Sequence, residues 1–418
     1  MSNPITVTPE DRNILRNLAR QVADIAALPI QQERIRLWKK HNSLQPERPM
    51  ILIFPEGSWG ELLPADTQPH CSHPYLRQFE HRMRMSIYEF NHFDSDNVIT
   101  ASLDVPKVVW DSGWGINAHW IYSDQPGGAR KFDPVINDPS DLKKLVLPKV
   151  LYDEAASLAN LTMMQDILGD ILSVKLVGIK HVSFHLMSMY TSWRGLEETM
   201  VDMMLEPNWV HDAMEILTEG HLGLIKQHEE MGLYELNYDN TYHSTGGNGW
   251  SDESPLPGYD ATKVRAADMW ASAESQELSE VSPAMHQEFA MKYEARLLSR
   301  FRHNGYGCCE GLHNKMSLVH ELPNVRRISM SPFCNIDKAI PQAANRSVIS
   351  SWKPHPARLV GEFQPDLIRQ ELRHGIELAK AHNSVLEIIL KDTATCERHP
   401  ERFTQWSKIC REEVERSL

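Results

Sequence analysis

The 418-residue sequence has little cysteine and no long apolar run. It contains 6 cysteines. It has no stretch of about 18 consecutive apolar residues, so we expect no transmembrane helix. Residues 1–11 lack the basic and apolar regions of a secretion signal. Scarce cysteine without such a signal predicts reduced thiols in the cytoplasm rather than a disulfide framework.

Basic charge is also scarce. Lys and Arg number 43 against 56 Asp and Glu, which gives a formal net charge of −13. Nucleic-acid-binding proteins need clustered basic side chains, so we expect neither nucleic acid nor a membrane as a partner. No repeat of 20–50 residues occurs, which excludes solenoids and propellers. With 41% hydrophobic residues, the chain can bury a sizeable globular core.

The first part of the chain predicts a helical extension. Thr8 is a good N-cap, Pro9 suits the first helical position, and Glu10 and Asp11 favour the positive end of the helix dipole. We expect residues 1–48 to form this extension and to pack on the outside of a main domain, residues 49–418.

From residue 49 onward, strand-like runs alternate with amphipathic helices, which is typical of a parallel βα sheet. Eight strands are predicted, at residues 50–54, 98–103, 174–184, 233–239, 305–309, 327–330, 347–350 and 385–390. That count predicts an α/β fold of the (β/α)8 TIM-barrel type. A doubly wound sheet fits less well, because no Gly-x-Gly-x-x-Gly follows the first strand.

Two adjacent cysteines and a glutamate end the fifth predicted strand. Barrel enzymes keep their chemistry at such strand ends, and thiolate and carboxylate groups bind zinc. Because strand side chains alternate, Cys308 and Glu310 would share one face. If Cys309 points inward instead, its partner two residues earlier is Gly307, and His243 is the natural further ligand. A third reading is that both thiols are small core side chains.

Other polar side chains end the neighbouring predicted strands. Glu56, Asp104, Asp239 and His243 fall there, and the last three are candidates for acid/base catalysis. Carboxylates at Glu56 and Asp104 are equally compatible with capping the next loop. The glycine-rich segment 244–249 does not match a phosphate-binding loop, and it predicts a mobile lid or a close backbone approach to substrate.

Several segments resemble the uroporphyrinogen decarboxylase superfamily over about residues 50–410. The resemblance is carried by Arg194-Gly195-Leu196-Glu197-Glu198 leading into Glu206-Pro207-Asn208, by Asp268-Met269-Trp270-Ala271-Ser272 with Ser282-Pro283, and by Val360-Gly361-Glu362-Phe363 followed by a strand ending in Thr395-Cys396. It implies a (β/α)8 barrel.

The two branches of that superfamily differ in residues that can be compared here. The decarboxylase branch has an arginine pair where this sequence has no arginine between Pro49 and Arg77, and a histidine where it has Cys396. The methyltransferase branch has a zinc site with His-x-Cys after the fifth strand and a cysteine after the eighth. Here Cys396 corresponds to the second, and Cys308-Cys309-Glu310 replaces the first.

The resemblance therefore implies a zinc-dependent methyltransferase. One zinc per chain would be held by Cys308 or Cys309, Glu310 and Cys396. A methyl group would move between a small-molecule donor or acceptor and a corrinoid carried by a partner protein. The alternative is a metal-free decarboxylase or other lyase, acting on a small carboxylate or a tetrapyrrole through Asp104, Asp239 and His243. A third hypothesis is a non-enzymatic receptor for a corrinoid or tetrapyrrole.

Overall fold

The computed structural model describes residues 5–64, 68–124, 130–344 and 346–418, and helices alternate with strands along most of it. The helices are α1 Pro9–Ala26, α2 Pro29–Asn42, α3 Trp59–Leu62, α4 Pro74–His92, α5 Glu154–Leu168, α6 Leu186–Arg194, α7 Leu196–Leu205, α8 Pro207–Glu230, α9 Pro283–His286, α10 Lys292–Leu298, α11 Met316–Val319, α12 Ile336–Ala343, α13 Pro365–Ala381 and α14 Glu401–Arg416. The strands are β1 Met50–Ile53, β2 Ser102–Pro106, β3 Val108–Asp111, β4 His119–Tyr122, β5 Arg130–Asp133, β6 Val150–Asp153, β7 Ser173–Val177, β8 Ser183–Phe184, β9 Trp270–Ala273, β10 His303–Tyr306, β11 Val325–Met330, β12 Ile349–Trp352 and β13 Val385–Leu390.

Seven strands form one parallel sheet in the order β1-β13-β12-β11-β10-β9-β8. β2 pairs in parallel with β7 in a separate two-stranded sheet, while β3·β6 and β4·β5 are antiparallel pairs. Among the described residues the seven-stranded sheet does not close, because β2 pairs with β7 rather than with β1. The prediction of an α/β barrel-like fold is confirmed, and the closed eight-stranded barrel is not.

The predicted strands agree with the structure most closely at the end of the chain, where β13 has the predicted bounds. The fourth predicted strand is wrong: in residues 233–239 only an isolated bridge, between Ile179 and Tyr234, joins this segment to its neighbour. β9 was missed, since Trp270–Ala273 is a run of only 4 residues, in a segment that was predicted to be a long excursion before the fifth strand. β10 ends at Tyr306, so Cys308 and Glu310 lie beyond it and the alternation expected of a strand does not apply to them.

The amino-terminal helices cover two different parts of the domain. Residues 1–4 of the predicted extension lie outside the described residues. Thr8 and Asp11 form a capping box at the start of α1, each side chain accepting the other's backbone N–H at 3.0 Å. α1 packs on α4 and α5. α2 reaches further, because His41 and Asn42 at its end are fully buried against the sheet interior.

The glycine-rich segment passes through the interior of the barrel-like sheet instead of forming a lid. A Cβ on Gly246 would lie 1.8 Å from Ser351 Oγ, and one on Gly247 would lie 2.3 Å from Arg327 Nη2. Gly247 also has a φ of +61°. Only glycine fits here, so the close backbone approach that the sequence predicted is made to the protein's own side chains.

No helix among the described residues is long and apolar enough to cross a membrane.

Candidate functional site

The Cys308 and Cys309 thiols lie together in the loop that follows β10. Their sulfur atoms are 3.6 Å apart, and both side chains are half-buried. A hydrogen bond from the Cys308 thiol lowers the pKa of Cys309, while burial opposes this shift. The pair therefore favours a single thiolate on Cys309 at the carboxyl end of the sheet.

Two lysines bring positive charge to this thiol pair. Lys353 follows β12 and Lys391 follows β13. The hydrogen bond to Cys309 and burial raise the pKa of the Cys308 thiol, and the charges of the two lysines oppose that shift. Lys353 is buried and donates to Ser329 Oγ at 2.6 Å, and burial lowers its pKa to about 8. Lys391 Nζ lies 3.3 Å from Asp392 Oδ1. The open end of the sheet beside the thiol pair is here called the mouth. The two lysines make it a place where a negative charge is stabilised.

Strained backbone borders the same mouth. Glu56 and Asp392 have φ values of +46° and +59°, which residues other than glycine rarely adopt. The backbone N–H of Asp392 donates to Glu56 Oε2 at 2.7 Å. Glu56, predicted at the rim, therefore holds the turn after β13, and such strain is typical of functional sites.

Glu310 turns away from the thiols into a buried acidic cluster. Its carboxylate accepts the backbone N–H of Cys308 at 2.8 Å and is 1% exposed. Burial, with the nearby charge of Glu274, raises the pKa of Glu310. Glu294, also fully buried, accepts from Ser275 Oγ at 2.7 Å and Tyr306 Oη at 2.8 Å. Glu274 and Glu294 were not predicted, because β9 was not recognised and Glu294 lies inside helix α10.

Cys396 has a partner of its own. Its buried thiol donates to Glu61 Oε2 at 3.2 Å, and its backbone N–H donates to the same oxygen at 3.1 Å. Burial raises the pKa of the Cys396 thiol to about 11. In the described ranges of the chain, no three His, Cys, Asp or Glu side chains come together as a metal site requires. The structure brings Cys308 and Cys309 together, but Glu310 and Cys396 do not join them in a metal-binding set. The zinc ion stays a prediction.

Asp104 and Asp239, both predicted to be catalytic, come together at the side chain of Lys180. Lys180 Nζ lies 2.5 Å from Asp104 Oδ2 and 2.7 Å from Asp239 Oδ2. Burial opposes the charge on Lys180, but the two carboxylates outweigh it and raise the pKa of the ammonium group. The three side chains line a cavity of about 1110 Å³, which extends along β2 and β7. The sequence did not predict Lys180 as a site residue, because no motif surrounds it.

His243, the third predicted catalytic residue, lies inside the protein rather than on the rim. It is 1% exposed, and its ring stacks on Trp270 with centroids 5.2 Å apart. Burial, together with the charge of Arg327, keeps the pKa of His243 well below its ordinary value. The ring is therefore neutral at neutral pH. His243 is not among the described residues that line the cavity beside Lys180.

Comparison with known proteins gives structural likeness only at low sequence identity. No protein family matches the sequence, and no curated protein matches it. A methyltransferase from Methanosarcina mazei is similar in structure at 10% sequence identity, with a TM-score of 0.47. The likeness covers 90% of this chain and 97% of that chain. It is too distant to assign this chain a family or an activity.

Proposed function

We propose that this chain is a methyltransferase whose reactive centre is the Cys308–Cys309 thiol pair. The observation that carries the proposal is the 3.6 Å separation of two half-buried sulfur atoms just beyond β10. Enzymes with this type of fold keep their reactive groups at that end of the strands. The sequence resemblance to corrinoid-linked methyltransferases, which includes Cys396, is the reason for choosing methyl transfer among the reactions of thiols.

The proposed substrates are a small thiol and a methylcorrinoid carried by a partner protein. The thiolate sulfur of the acceptor attacks the methyl carbon. A sulfur–carbon bond forms as the carbon–cobalt bond breaks, and the electron pair of the broken bond stays on cobalt. The acceptor must first lose its thiol proton, which the Cys309 thiolate accepts as the base, and the ammonium groups of Lys353 and Lys391 favour that loss because they stabilise negative charge in the mouth.

The more specific part of the proposal is a zinc ion at the thiol pair. A bound zinc ion would lower the pKa of the acceptor thiol as a Lewis acid. The predicted ligands do not fit such an ion as they are arranged, because Glu310 accepts from the backbone of Cys308 and Cys396 donates to Glu61. The transfer described above therefore uses only the protein's own charges and thiols.

The test uses methylcobalamin and a small alkyl thiol with the purified full chain. We expect loss of the cobalt–carbon absorbance and formation of the S-methyl product. Cys309→Ser should lower the rate at least tenfold, while Cys410→Ser, in a buried thiol of α14, should leave the rate unchanged. Zinc content measured on the same samples should be about one per chain, and lower in Cys309→Ala and Cys396→Ala, if the metal is part of the site. Absence of transfer by the wild type, with or without added zinc, would overturn the proposal.

The cavity favours a second candidate function, a metal-free decarboxylase acting on a small carboxylate. Its volume of about 1110 Å³ is ample for such a ligand. Lys180 could hold the substrate carboxylate, while Asp104 or Asp239 supplies a proton to the carbon that loses carbon dioxide. This function predicts that Asp104→Asn abolishes turnover and that Cys309→Ser leaves it intact, the reverse of the pattern expected for methyl transfer.

A further inference from the structure

The six cysteines differ sharply in their exposure to solvent. Cys308 and Cys309 are partly exposed, whereas the other four thiols are buried: Cys71, Cys334, Cys396 and Cys410. Burial raises the pKa of each of those four thiols. Oxidants react with accessible thiolates, so reaction is directed to Cys308 and Cys309.

The geometry of the pair favours bond formation between its own two sulfur atoms. The sulfur atoms already lie 3.6 Å apart. Residues 307–311 belong to neither a helix nor a strand, so side-chain rotation and small backbone changes can close the remaining gap. Ser329 Oγ donates to the Cys308 carbonyl at 2.8 Å, which anchors one end of the intervening peptide.

A disulfide between adjacent residues is also an easily reduced one. Their Cα atoms are held about 3.8 Å apart by a trans peptide bond, below the usual range of about 4.4–6.8 Å for disulfides. Strain of this kind makes the bond more reducible, which is a property of reversible rather than structural disulfides.

We propose that Cys308 and Cys309 form a reversible disulfide with each other when the protein meets a hydroperoxide. One thiolate attacks the peroxide, whose oxygen–oxygen bond breaks to give a sulfenic acid and, after protonation, one molecule of water or alcohol. The second sulfur then attacks the sulfenic sulfur, the sulfur–sulfur bond forms, and water leaves. Two thiols are thereby oxidised, and one peroxide is reduced.

The consequence for activity rests on the proposed function, whereas the bond itself does not. If the thiol pair is the reactive centre, oxidation removes both free thiols of that pair, and the oxidised protein transfers no methyl group. Reduction by a small dithiol restores them. The pair would then switch the enzyme off under oxidising conditions.

The test treats the full chain with hydrogen peroxide, blocks the remaining thiols with iodoacetamide, and examines the digested peptides by mass spectrometry. We expect the peptide that contains Cys308 and Cys309 to be unalkylated and lighter than the reduced peptide by two hydrogen atoms, and dithiothreitol to reverse this. Cys410→Ser should behave as the wild type. Cys308→Ser and Cys309→Ser should each abolish the intramolecular bond, and circular dichroism should show that both are folded.

Three outcomes would overturn the proposal: a stable sulfinic acid on either cysteine, a disulfide to a second chain, or no change at a peroxide concentration that oxidises a free dipeptide dithiol. The methyl-transfer assay on the same samples separates this inference from the proposed function. A disulfide that forms in a protein without transfer activity in either state leaves the inference intact and overturns the function. Equal activity of the reduced and oxidised protein would show that the thiols are not the reactive centre.

Discussion

The guanidinium Nε of Arg327 lies 2.9 Å from Glu387 Oε1, and neither side chain is exposed to solvent. The pair links β11 to β13 across the sheet interior. His41, at the end of α2, lies 3.3 Å from the same carboxylate, and a Cβ added to Gly247 would lie 2.3 Å from Arg327 Nη2. An amino-terminal helix, two central strands and the inserted loop therefore meet at one buried ion pair.

Removing the charge on Glu387 should be strongly destabilising. Burial opposes ionisation, but the charge of Arg327 outweighs it and holds the pKa of Glu387 at about 2. Glu387→Gln leaves a buried guanidinium without a charged partner, and we expect a loss of about 3–5 kcal/mol in the free energy of unfolding. Urea unfolding measures this. The control is Glu377→Gln, whose carboxylate is 59% exposed beside Arg416, and which should cost less than about 1 kcal/mol. Equal losses in the two variants would contradict the prediction.

The inserted loop should tolerate no side chain at Gly247. Alanine there would combine an unfavourable φ of +61° with a Cβ 2.3 Å from Arg327 Nη2. We expect Gly247→Ala to lower the midpoint of thermal unfolding by several degrees or to prevent folding. Gly223→Ala is the matched control, because Gly223 lies in α8 with nothing within 4 Å of the added Cβ. That change should stabilise the protein slightly through helix propensity, by up to about 1 kcal/mol.

Buried Glu294 should make stability fall as pH rises. Burial raises the pKa of Glu294 to about 8, from its ordinary value of 4.5. Between those two pH values the unfolded chain releases the proton that the folded chain keeps, so the free energy of unfolding decreases with pH. Each pKa unit of difference corresponds to about 1.4 kcal/mol. Glu294→Gln mimics the protonated acid and should remove this part of the pH dependence.

The measurement is denaturant unfolding of both proteins at pH 5 and pH 8.5. We expect the variant to gain stability relative to the wild type at the higher pH. Glu412→Gln, which changes an exposed carboxylate in an ion pair with Arg369, is the control and should show no such gain. A constant difference between Glu294→Gln and the wild type at both pH values would show that Glu294 is ionised in the folded protein.

The strands that the sequence predicts well are those with a continuous apolar run. β13 is such a run, Val385-Leu386-Glu387-Ile388-Ile389-Leu390, and it was predicted over its whole length even though Glu387 interrupts it. Trp270–Ala273 carries little pattern, because a buried strand of 4 residues with two alanines resembles part of a helix. Pairing partners are a property of the whole chain, which is why the pairing of β2 with β7 could not be predicted from either strand.

Side chains of the candidate site were predicted where they stand beside a recognisable strand end. Cys308 and Cys309 were found in this way. Asp104, which was predicted to follow a strand over residues 98–103, lies inside β2. The orientation of Glu310 was not, because it depends on the loop beyond Tyr306 and on hydrogen bonds to the backbone. Lys180 could not be found either, since its role comes from two carboxylates at distant sequence positions, Asp104 and Asp239.

The Lys180 ammonium group should matter more for stability than either of its partners. Lys180→Met leaves Asp104 and Asp239 facing one another without a cation, whereas Asp104→Asn leaves Lys180 paired with Asp239. The two carboxylates are 38% and 32% exposed, so solvent screens their repulsion and we expect a loss of about 1–2 kcal/mol for Lys180→Met at pH 7. Asp104→Asn should cost less than about 1 kcal/mol.

Acid should remove the defect caused by Lys180→Met. Acid protonates carboxylates and removes their charge, so the penalty from repulsion between the two side chains is present at neutral pH and disappears in acid. Urea unfolding at pH 7 and pH 3.5, on wild type and variant, measures the difference. Lys226→Met removes the ammonium group of an exposed pair with Glu230 and should show a small effect at both pH values. A loss of equal size at pH 7 and pH 3.5 would mean that Lys180 stabilises the protein by packing its aliphatic chain in the cavity wall, and not by holding two carboxylates together.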